Sequence, residues 1–517
     1  MVPVTAPRPS LLGLVGPVAA AKLVLHLLWA GGYGLFRDEL YYLACARHLA
    51  WGYVDHPPLS IAVLALDRAA LGDSRLAMRL VPALAGTAVV LLTGWLAREL
   101  GGGRVAMVLA AIAALVAPDY LAVNHYYSMN ALDTLFWTAA VCLVARILRD
   151  PPAVTSRTWA LLGLVVGLGL LNKASVLWLV GGVFVGLVAT RHRRLLATPG
   201  PWLALGIAAV FVAPHLLWQM DNGWPTREFV RHATEDKMAA VSPLSFLRAQ
   251  VDDMHPLNAL LWVPGLAALL AWKRLAAFRP LGLAYVAIFA LLVINQKSRP
   301  GYLAPMYPVL FAAGSVLFEE VTRRRRWIAP AFAALLVLTG AVIAPMALPV
   351  LPIETYVAYA AALGQKPASE EKKEMGPLPQ FYADMFGWRE MTDAVSQVVA
   401  SLTPEERAHA VVRASDYGQA GALQRYGRDL PPVACGHNSY WLWGPGDPSP
   451  EVEVRMLGQA ADEGDHSWMS EVYGECERRG TFENPWVMPY ENHLGIYVCR
   501  RPIEPLGERW PKVKHYD

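Results

Sequence analysis

Residues 323–353 read RRRRWIAPAFAALLVLTGAVIAPMALPVLPI. Four arginines, Arg323 to Arg326, precede a stretch, 327–353, without Asp, Glu, Lys or Arg. A membrane-spanning helix needs about 20 mostly apolar residues. The stretch is therefore read as a span with a basic flank. Beyond about residue 352 the chain turns polar and Pro-punctuated, and stays so to residue 517. Working back toward the N-terminus, further charge-free runs occupy 80–97, 195–220, 254–272, 280–296 and 300–318. The run 11–36 is broken only by Lys22, a side chain able to snorkel. Residues 105–145 carry only Asp119 and Asp133, and 158–190 only Lys173. The pattern predicts eleven spans: about 11–34, 77–97, 105–122, 128–146, 158–172, 174–190, 201–218, 256–272, 280–296, 301–318 and 327–350. The N-terminal run is too long for a cleavable signal, and no Ala-x-Ala site follows it.

Composition agrees. Of 517 residues, 55% are hydrophobic and 17% charged, against about 25% charged in soluble domains. Mean hydropathy is +0.32. These values exclude a disordered chain, an ordinary soluble enzyme and a nucleic-acid binder. A net charge of +3 is too small to mark a polyanionic partner. Five cysteines exclude a disulfide-built scaffold or a Cys-rich zinc module.

Basic residues in the loops set orientation. One set of loops (98–104, 146–157, 191–200, 273–279, 319–326) holds 15 Lys and Arg in 44 positions, and the alternate set holds 11 in 93. The first set is read as cytoplasmic. With eleven spans the N-terminus is then cytoplasmic and the C-terminal part extracytoplasmic, in a multi-pass protein of the inner (cytoplasmic) membrane. Two domains are expected: 1–351 in the membrane, and 352–517 as a soluble α/β domain on the outer face. Residues 366–379 read as a charged linker, 410–414 and 496–499 as strands, and 415–426 as a helix start and helix. Cys499 is expected to pair with Cys476 or Cys435, since the outer compartment permits disulfides.

The longest outer loop opens Phe36-Arg37-Asp38-Glu39-Leu40-Tyr41-Tyr42 and continues Tyr53-Val54-Asp55-His56-Pro57-Pro58. Adjacent carboxylates sit where a helix leaves the bilayer. Desolvation raises a carboxyl's pKa and a cation lowers it, and such a group can act as general base. If the segment is helical, Asp38 and Glu39 lie roughly 100° apart, so only one faces a given cavity. The other reading is a solvated helix start whose acidic residues favour the dipole. Asp133, at the outer end of the fourth span, is either an intramembrane functional group or a helix-end carboxylate in water. Lys173, in a hairpin turn, is either a similar functional group or a side chain snorkelling to the outer surface, and the second reading is favoured. Lys297 and Arg299, between spans nine and ten, suit either a phosphate or interfacial snorkelling. The stretch 436–443, GHNSYWLW, suits membrane-domain packing at least as well as ligand binding.

These residues resemble the C-type glycosyltransferases (GT-C fold), family 39, which includes the protein O-mannosyltransferases and the bacterial lipid A aminoarabinose transferases. The resemblance rests on Asp38-Glu39 with Tyr42, on residues 53–58, on Asn130-Ala131-Leu132-Asp133, on Gly169-Leu170-Leu171-Asn172-Lys173 and on 302–308, YLAPMYP. It implies transfer of a sugar from a polyprenyl-phosphate donor to an acceptor hydroxyl, on the outer face and with inversion. Asp38 takes the role of base or acceptor-orienting group, with Glu39 beside it and Asp133 as a second acidic residue. The donor phosphate is expected at His56, Lys297 and Arg299, with Tyr42 and Tyr53 alongside. A divalent metal ion is the one cofactor the resemblance admits, with Asp55 and His232 as candidate ligands. His56 stands where the aminoarabinose enzymes have a Lys, and Tyr41 where they have an Arg. No outer loop is long enough for the sugar-binding insertion of the protein mannosyltransferases, so a lipid or glycan acceptor is favoured over protein. Membrane lipids are the other expected partners. The rival readings are a polytopic secondary transporter and a non-catalytic envelope assembly protein. The acidic residues lie at span ends rather than the midplane, and no repeat is evident, which favours the enzyme.

Overall fold

The computed structural model describes residues 10–458 and 467–517. The chain forms two compact units. One comprises the residues up to Gly32 with 67–217 and 240–351, and the other 33–66, 218–239 and 352–517.

The first unit is helical, and a helix occupies each of the eleven expected stretches. Among the described residues, seven are long and apolar enough to cross a membrane: Leu11–Trp29, Arg75–Glu99, Met129–Arg149, Pro199–Asp221, Lys273–Asn295, Pro300–Thr322 and Ile328–Met346. Two more qualify only as bent pairs, Val176–Val188 with Arg191–Ala197 and Pro243–Asp253 with Pro256–Ala271. Arg104–Val116 and Ser156–Asn172 are shorter apolar helices. The expected span 105–122 breaks at Ala117, whose backbone is extended (ψ 119°). Pro118 follows it, and a proline disfavours the α region for the residue before it.

Arg75–Glu99 packs against Leu11–Trp29, Arg104–Val116 and Met129–Arg149. Lipid tails give helices no hydrophobic drive toward one another, so small residues that allow close approach dominate such contacts. Gly265 and Gly314 show this where Ala259–Ala271 crosses Tyr307–Thr322. A Cβ on Gly314 would lie 2.0 Å from the Leu261 carbonyl oxygen, and one on Gly265 2.3 Å from that of Leu310. Lys22 does not snorkel. It is fully buried, and its ammonium donates to the Tyr120 carbonyl at 2.8 Å. That carbonyl lies in the short helix Pro118–Val123.

The second unit contains a five-stranded sheet of order β2-β1-β3-β5-β4, with β1 Ala410–Ala414, β2 Val433–Cys435, β3 Val452–Leu457, β4 Tyr473–Phe482 and β5 Leu494–Pro502. β1 runs parallel to β2 and β3, and β5 antiparallel to β3 and β4. All five residues of β1, Arg413 included, are buried, as in a strand covered on both faces. Cys476 and Cys499, directly opposed on β4 and β5, form a disulfide, and Cys435 is a buried free thiol. Residues 366–379 form no helix or strand, only an isolated bridge from Glu371 to Met238. The Arg37–Cys45 helix lies against Tyr417–Tyr426. Gly421 admits this contact, since a Cβ there would sit 2.8 Å from the Leu40 carbonyl oxygen.

Gly314→Leu forces a side chain against backbone that cannot yield. Thermal unfolding in detergent should show it less stable by about 2 kcal/mol or more.

Candidate active site

Asp38 and Glu39 open the Arg37–Cys45 helix and divide its roles. Glu39 is fully buried and accepts the Phe36 backbone N–H at 2.8 Å, which satisfies a donor left open at the helix start. Asp38 is half-buried, and its Oδ1 accepts the Tyr417 hydroxyl at 3.0 Å. Arg37 is buried beside them. Its guanidinium lies 4.5 Å from the Tyr417 ring centre, donates to the Tyr490 hydroxyl at 3.0 Å, and stands 3.8 Å from Asp416 Oδ1.

Burial pushes the Asp38 carboxyl above the usual range, while Arg37 and the Tyr417 hydrogen bond oppose that rise. Asp384 is driven up to about 7, by burial first and then by Glu371, Asp38 and Asp416, against Arg37. Asp416 and Glu491 split. Burial opposes ionisation of Asp416, yet Arg37 and a hydrogen bond from Glu491 hold it below the usual carboxylate range. Burial and the Asp416 charge push Glu491 well up. Gln419 Nε2 donates to Glu491 at 2.9 Å. Ionised Asp416 accepts the backbone N–H groups of Gly418 and Gln419 at 2.6 and 3.1 Å, and so caps the helix that presents Tyr417.

Residues 53–58 form a second cluster in the same unit. The Tyr41 hydroxyl lies 2.8 Å from Asp55 Oδ1 and 2.7 Å from Ser439 Oγ, and accepts the Ser439 N–H at 3.2 Å. His56 is fully buried, with ring centres 4.7 Å from Tyr42 and 4.8 Å from Tyr53. Its Nδ1 is 3.0 Å from the Pro57 carbonyl, and its Nε2 is 4.0 Å from Asp55. The Tyr53 hydroxyl meets backbone of its own loop, at Ala50 and His48. Tyr42, Tyr53 and His56 thus pack together, and the imidazole stands behind Asp55.

Three stretches of the family resemblance meet in the first unit. Asp133 is buried, and Ser175 Oγ lies 2.8 Å from each of its oxygens. Lys173 does not simply reach for water. Its ammonium is 3.6 Å from Asp133, donates to Asn130 Oδ1 at 2.8 Å, and sits 5.0 Å from the Tyr302 ring centre. Desolvation at this depth favours pairing over an isolated charge. Lys297 and Arg299 are half-buried in the turn that follows the Arg279–Asn295 helix.

The metal candidates do not form a ligand set. Asp55 bonds Tyr41, while His232 is held by the Tyr516 carbonyl at 3.1 Å and Arg231 at 3.2 Å. Among the described residues, the three-ligand cluster is His437, His515 and Asp517 instead. Sequence reading missed Tyr417, Asp416, Asp384 and Ser439 as partners of the first loop. Only Asp416 carried a local signal, as an Asx residue at a helix start.

Residues 55–218 match the model of the dolichyl-phosphate-mannose-protein mannosyltransferase family. No curated protein matches the sequence. Among solved structures, ArnT from Cupriavidus metallidurans in the apo state is 15% identical, with a TM-score of 0.63 over 94% of this chain and 98% of that one. The same protein bound to undecaprenyl phosphate gives 0.61 at 15% identity, over 95% and 98%. Arabinofuranosyltransferase AftD from Mycobacteria gives 0.52 at 15% identity, over 95% of this chain and 42% of that one. The chain has the GT-C fold: a polytopic helical membrane domain with a C-terminal α/β domain.

Asp384 makes stability depend on pH. Its carboxyl titrates near 7 in the folded chain and near 3.9 unfolded. Between these values the folded state holds the extra proton, so this group's contribution to stability falls as pH rises. Asp384→Asn removes that slope. The melting temperature of the variant relative to wild type should climb between pH 4 and 7 in detergent.

Proposed function

We propose that the chain is a membrane glycosyltransferase that moves a sugar from a polyprenyl-phosphate donor to an acceptor hydroxyl, with inversion. The observation that carries the reading is the Asp38 carboxylate, fixed by Tyr417 at 3.0 Å and backed by Arg37, on a chain with the GT-C fold. Supporting it, residues 55–218 match a family whose description names a polyprenyl-phosphate sugar, and one solved structure of the same fold holds undecaprenyl phosphate.

The chemistry divides simply. The incoming hydroxyl must lose a proton as it attacks, and Asp38 is the base that takes it. Tyr417 is a positioning residue: its hydrogen bond favours the ionised carboxylate and sets its direction. Glu39 is committed to the helix start. The leaving group departs as a phosphate, so it needs cations rather than an acid. Lys297 and Arg299 are assigned to it, with Lys173 held ready beside Asp133. Tyr42, Tyr53 and His56 support the loop that carries Asp55. A lipid or glycan acceptor is favoured over protein, because no outer loop is long enough for the sugar-binding insertion of the protein mannosyltransferases.

The acceptor side lies outside the cytoplasm in an inner membrane, as the bias of 15 basic residues in 44 loop positions against 11 in 93 argues. Alkaline phosphatase fused after residue 517 should be active, and an inactive phosphatase beside a working cytoplasmic reporter at the same position would refute this topology.

Comparing envelope glycolipids by mass spectrometry with and without the protein identifies a substrate for kinetics. Asp38→Asn should then lower turnover by at least ~100-fold with donor binding nearly unchanged. Glu39→Gln should be milder in rate and cost stability instead. Tyr417→Phe removes a bond to the ionised form, so the Asp38 pKa rises and the acidic limb of the rate profile moves to higher pH. Lys297→Ala or Arg299→Ala should raise KM for the donor. A folded Asp38→Asn protein with near-full transfer would overturn the assignment.

A further inference from the structure

Beyond the sugar-transfer reading, and independent of it, one cluster in the second unit has the makings of a metal centre. We infer that His437, His515 and Asp517 bind a single zinc-type transition-metal ion, with one coordination position left open. One ligand atom from each of the three lies within 4.8 Å of the others. The donors come from two segments far apart in sequence, and main chain locks these together. Asn438 N–H donates to the His515 carbonyl at 3.0 Å, and His515 N–H to the Gly436 carbonyl at 3.0 Å. The donors therefore stand on paired backbone rather than on loose side chains, which lowers the cost of gathering them around an ion.

Ring orientation supplies a second, independent pointer. His515 Nδ1 lies 3.2 Å from the Val513 carbonyl. A proton donated there leaves the Nε2 lone pair free. Metal-binding histidines characteristically donate their other ring N–H to such a carbonyl, which fixes the tautomer and turns the ligating nitrogen toward the ion. His437 is 3% exposed, and its Nε2 faces Asp517 at 3.3 Å from Oδ1 and 3.0 Å from the main-chain oxygen. The two imidazole rings lie 4.4 Å apart.

The donor set selects the ion. Two imidazole nitrogens and one carboxylate oxygen suit Zn²⁺, whereas Mg²⁺ and Ca²⁺ take oxygen-rich shells. Arg37 and Lys237 also act on the Asp517 carboxylate. Their charge opposes any cation, and it weighs most against hard ions held by charge alone. Three protein ligands leave the fourth tetrahedral position to water or a ligand. The His437 ring is 4.7 Å from that of Tyr417, whose hydroxyl holds Asp38. The ion would thus stiffen the wall behind Asp38. It is a different ligand set from Asp55 and His232.

The rival account is a metal-free clasp, in which His437 and Asp517 simply pair and tie down residues 513–517. Full-length protein in detergent, stripped with a chelator and dialysed, is titrated with ZnCl2 alone and its bound metal measured by mass spectrometry. The site predicts one equivalent of zinc. It also predicts that Co²⁺ in its place shows the intense visible bands of a tetrahedral centre. His515 is exposed, so His515→Ala should fold, with tryptophan fluorescence and gel filtration as checks. It should lose more than about 10-fold in affinity, since even partners behind the ligands cost that much. Asp517→Asn should do the same with almost no change of shape. No zinc on the wild type, or equal zinc on both variants, would overturn the site in favour of the clasp. Neither result bears on whether Asp38 is the base.

Discussion

The guanidinium of Arg37 is the charge on which the polar interior of the second unit depends. It is 7% exposed, and Asp38, Asp384, Asp416 and Glu491 all respond to it. A buried cation must be paired, and buried carboxyls ionise only where a cation offsets their lost hydration. One guanidinium cannot serve four carboxyls equally. Asp416 stays ionised, while Glu491 is pushed up and Asp384 toward 7. The ionised member caps the Tyr417–Tyr426 helix, and that helix carries the hydroxyl that aims Asp38. The order of dependence runs from the Arg37 charge to the Asp416 cap, and from there to Tyr417 and the Asp38 carboxylate it bonds.

The membrane half of this architecture was legible in the sequence, because a run of apolar residues without charge has few other solutions. Where the reading missed, single residues explain it. Pro118 divides a run that composition leaves whole. Lys22 and Lys173 were read as reaching for water because that is the cheapest fate of a lone amine. Each instead has a fixed acceptor, the Tyr120 carbonyl and the Asn130 side chain, that only the packed helices bring within reach. The strand 410–414 was plain from its apolar run. The partners of the first loop were not. Tyr417 is 379 residues from Asp38, and Ser439 398 from Tyr41. No local period encodes a pairing across that distance. The segment 436–443 stood out for mixing polar and aromatic residues. Its packing role is visible in Trp441 and Trp510, which exchange indole N–H bonds with each other's carbonyls. Its Ser439 and His437 serve the polar clusters as well.

In the proposed reaction the Asp38 carboxylate is assigned to the acceptor hydroxyl, and the cations Lys173, Lys297 and Arg299 to the donor phosphate. A polyprenyl phosphate has its chain in lipid and its charge at the interface, so cations on helix ends are what it requires. An acceptor hydroxyl is neutral and polar, so a base set in a polar domain is what it requires. Asp133 belongs with the cations. Ser175 Oγ lies 2.8 Å from each of its oxygens and Lys173 at 3.6 Å, so the carboxylate also serves to orient an ammonium.

The same accounting explains why the order Asp-Glu matters at 38–39. Both carboxylates sit in the first turn of one helix, where the dipole favours them equally. Glutamate has the reach to fold back on the Phe36 N–H, as Glu39 does. That bond engages its Oε2 at the helix start, and the side chain is fully buried. Asp38, roughly 100° around the axis, faces Tyr417 and remains half-exposed. A carboxylate that holds its own backbone cannot also accept a substrate proton without loosening the turn it stabilises. One that accepts a tyrosine hydroxyl, as Asp38 does, carries no such duty. The longer side chain therefore builds the helix start, and the shorter one is the proposed base.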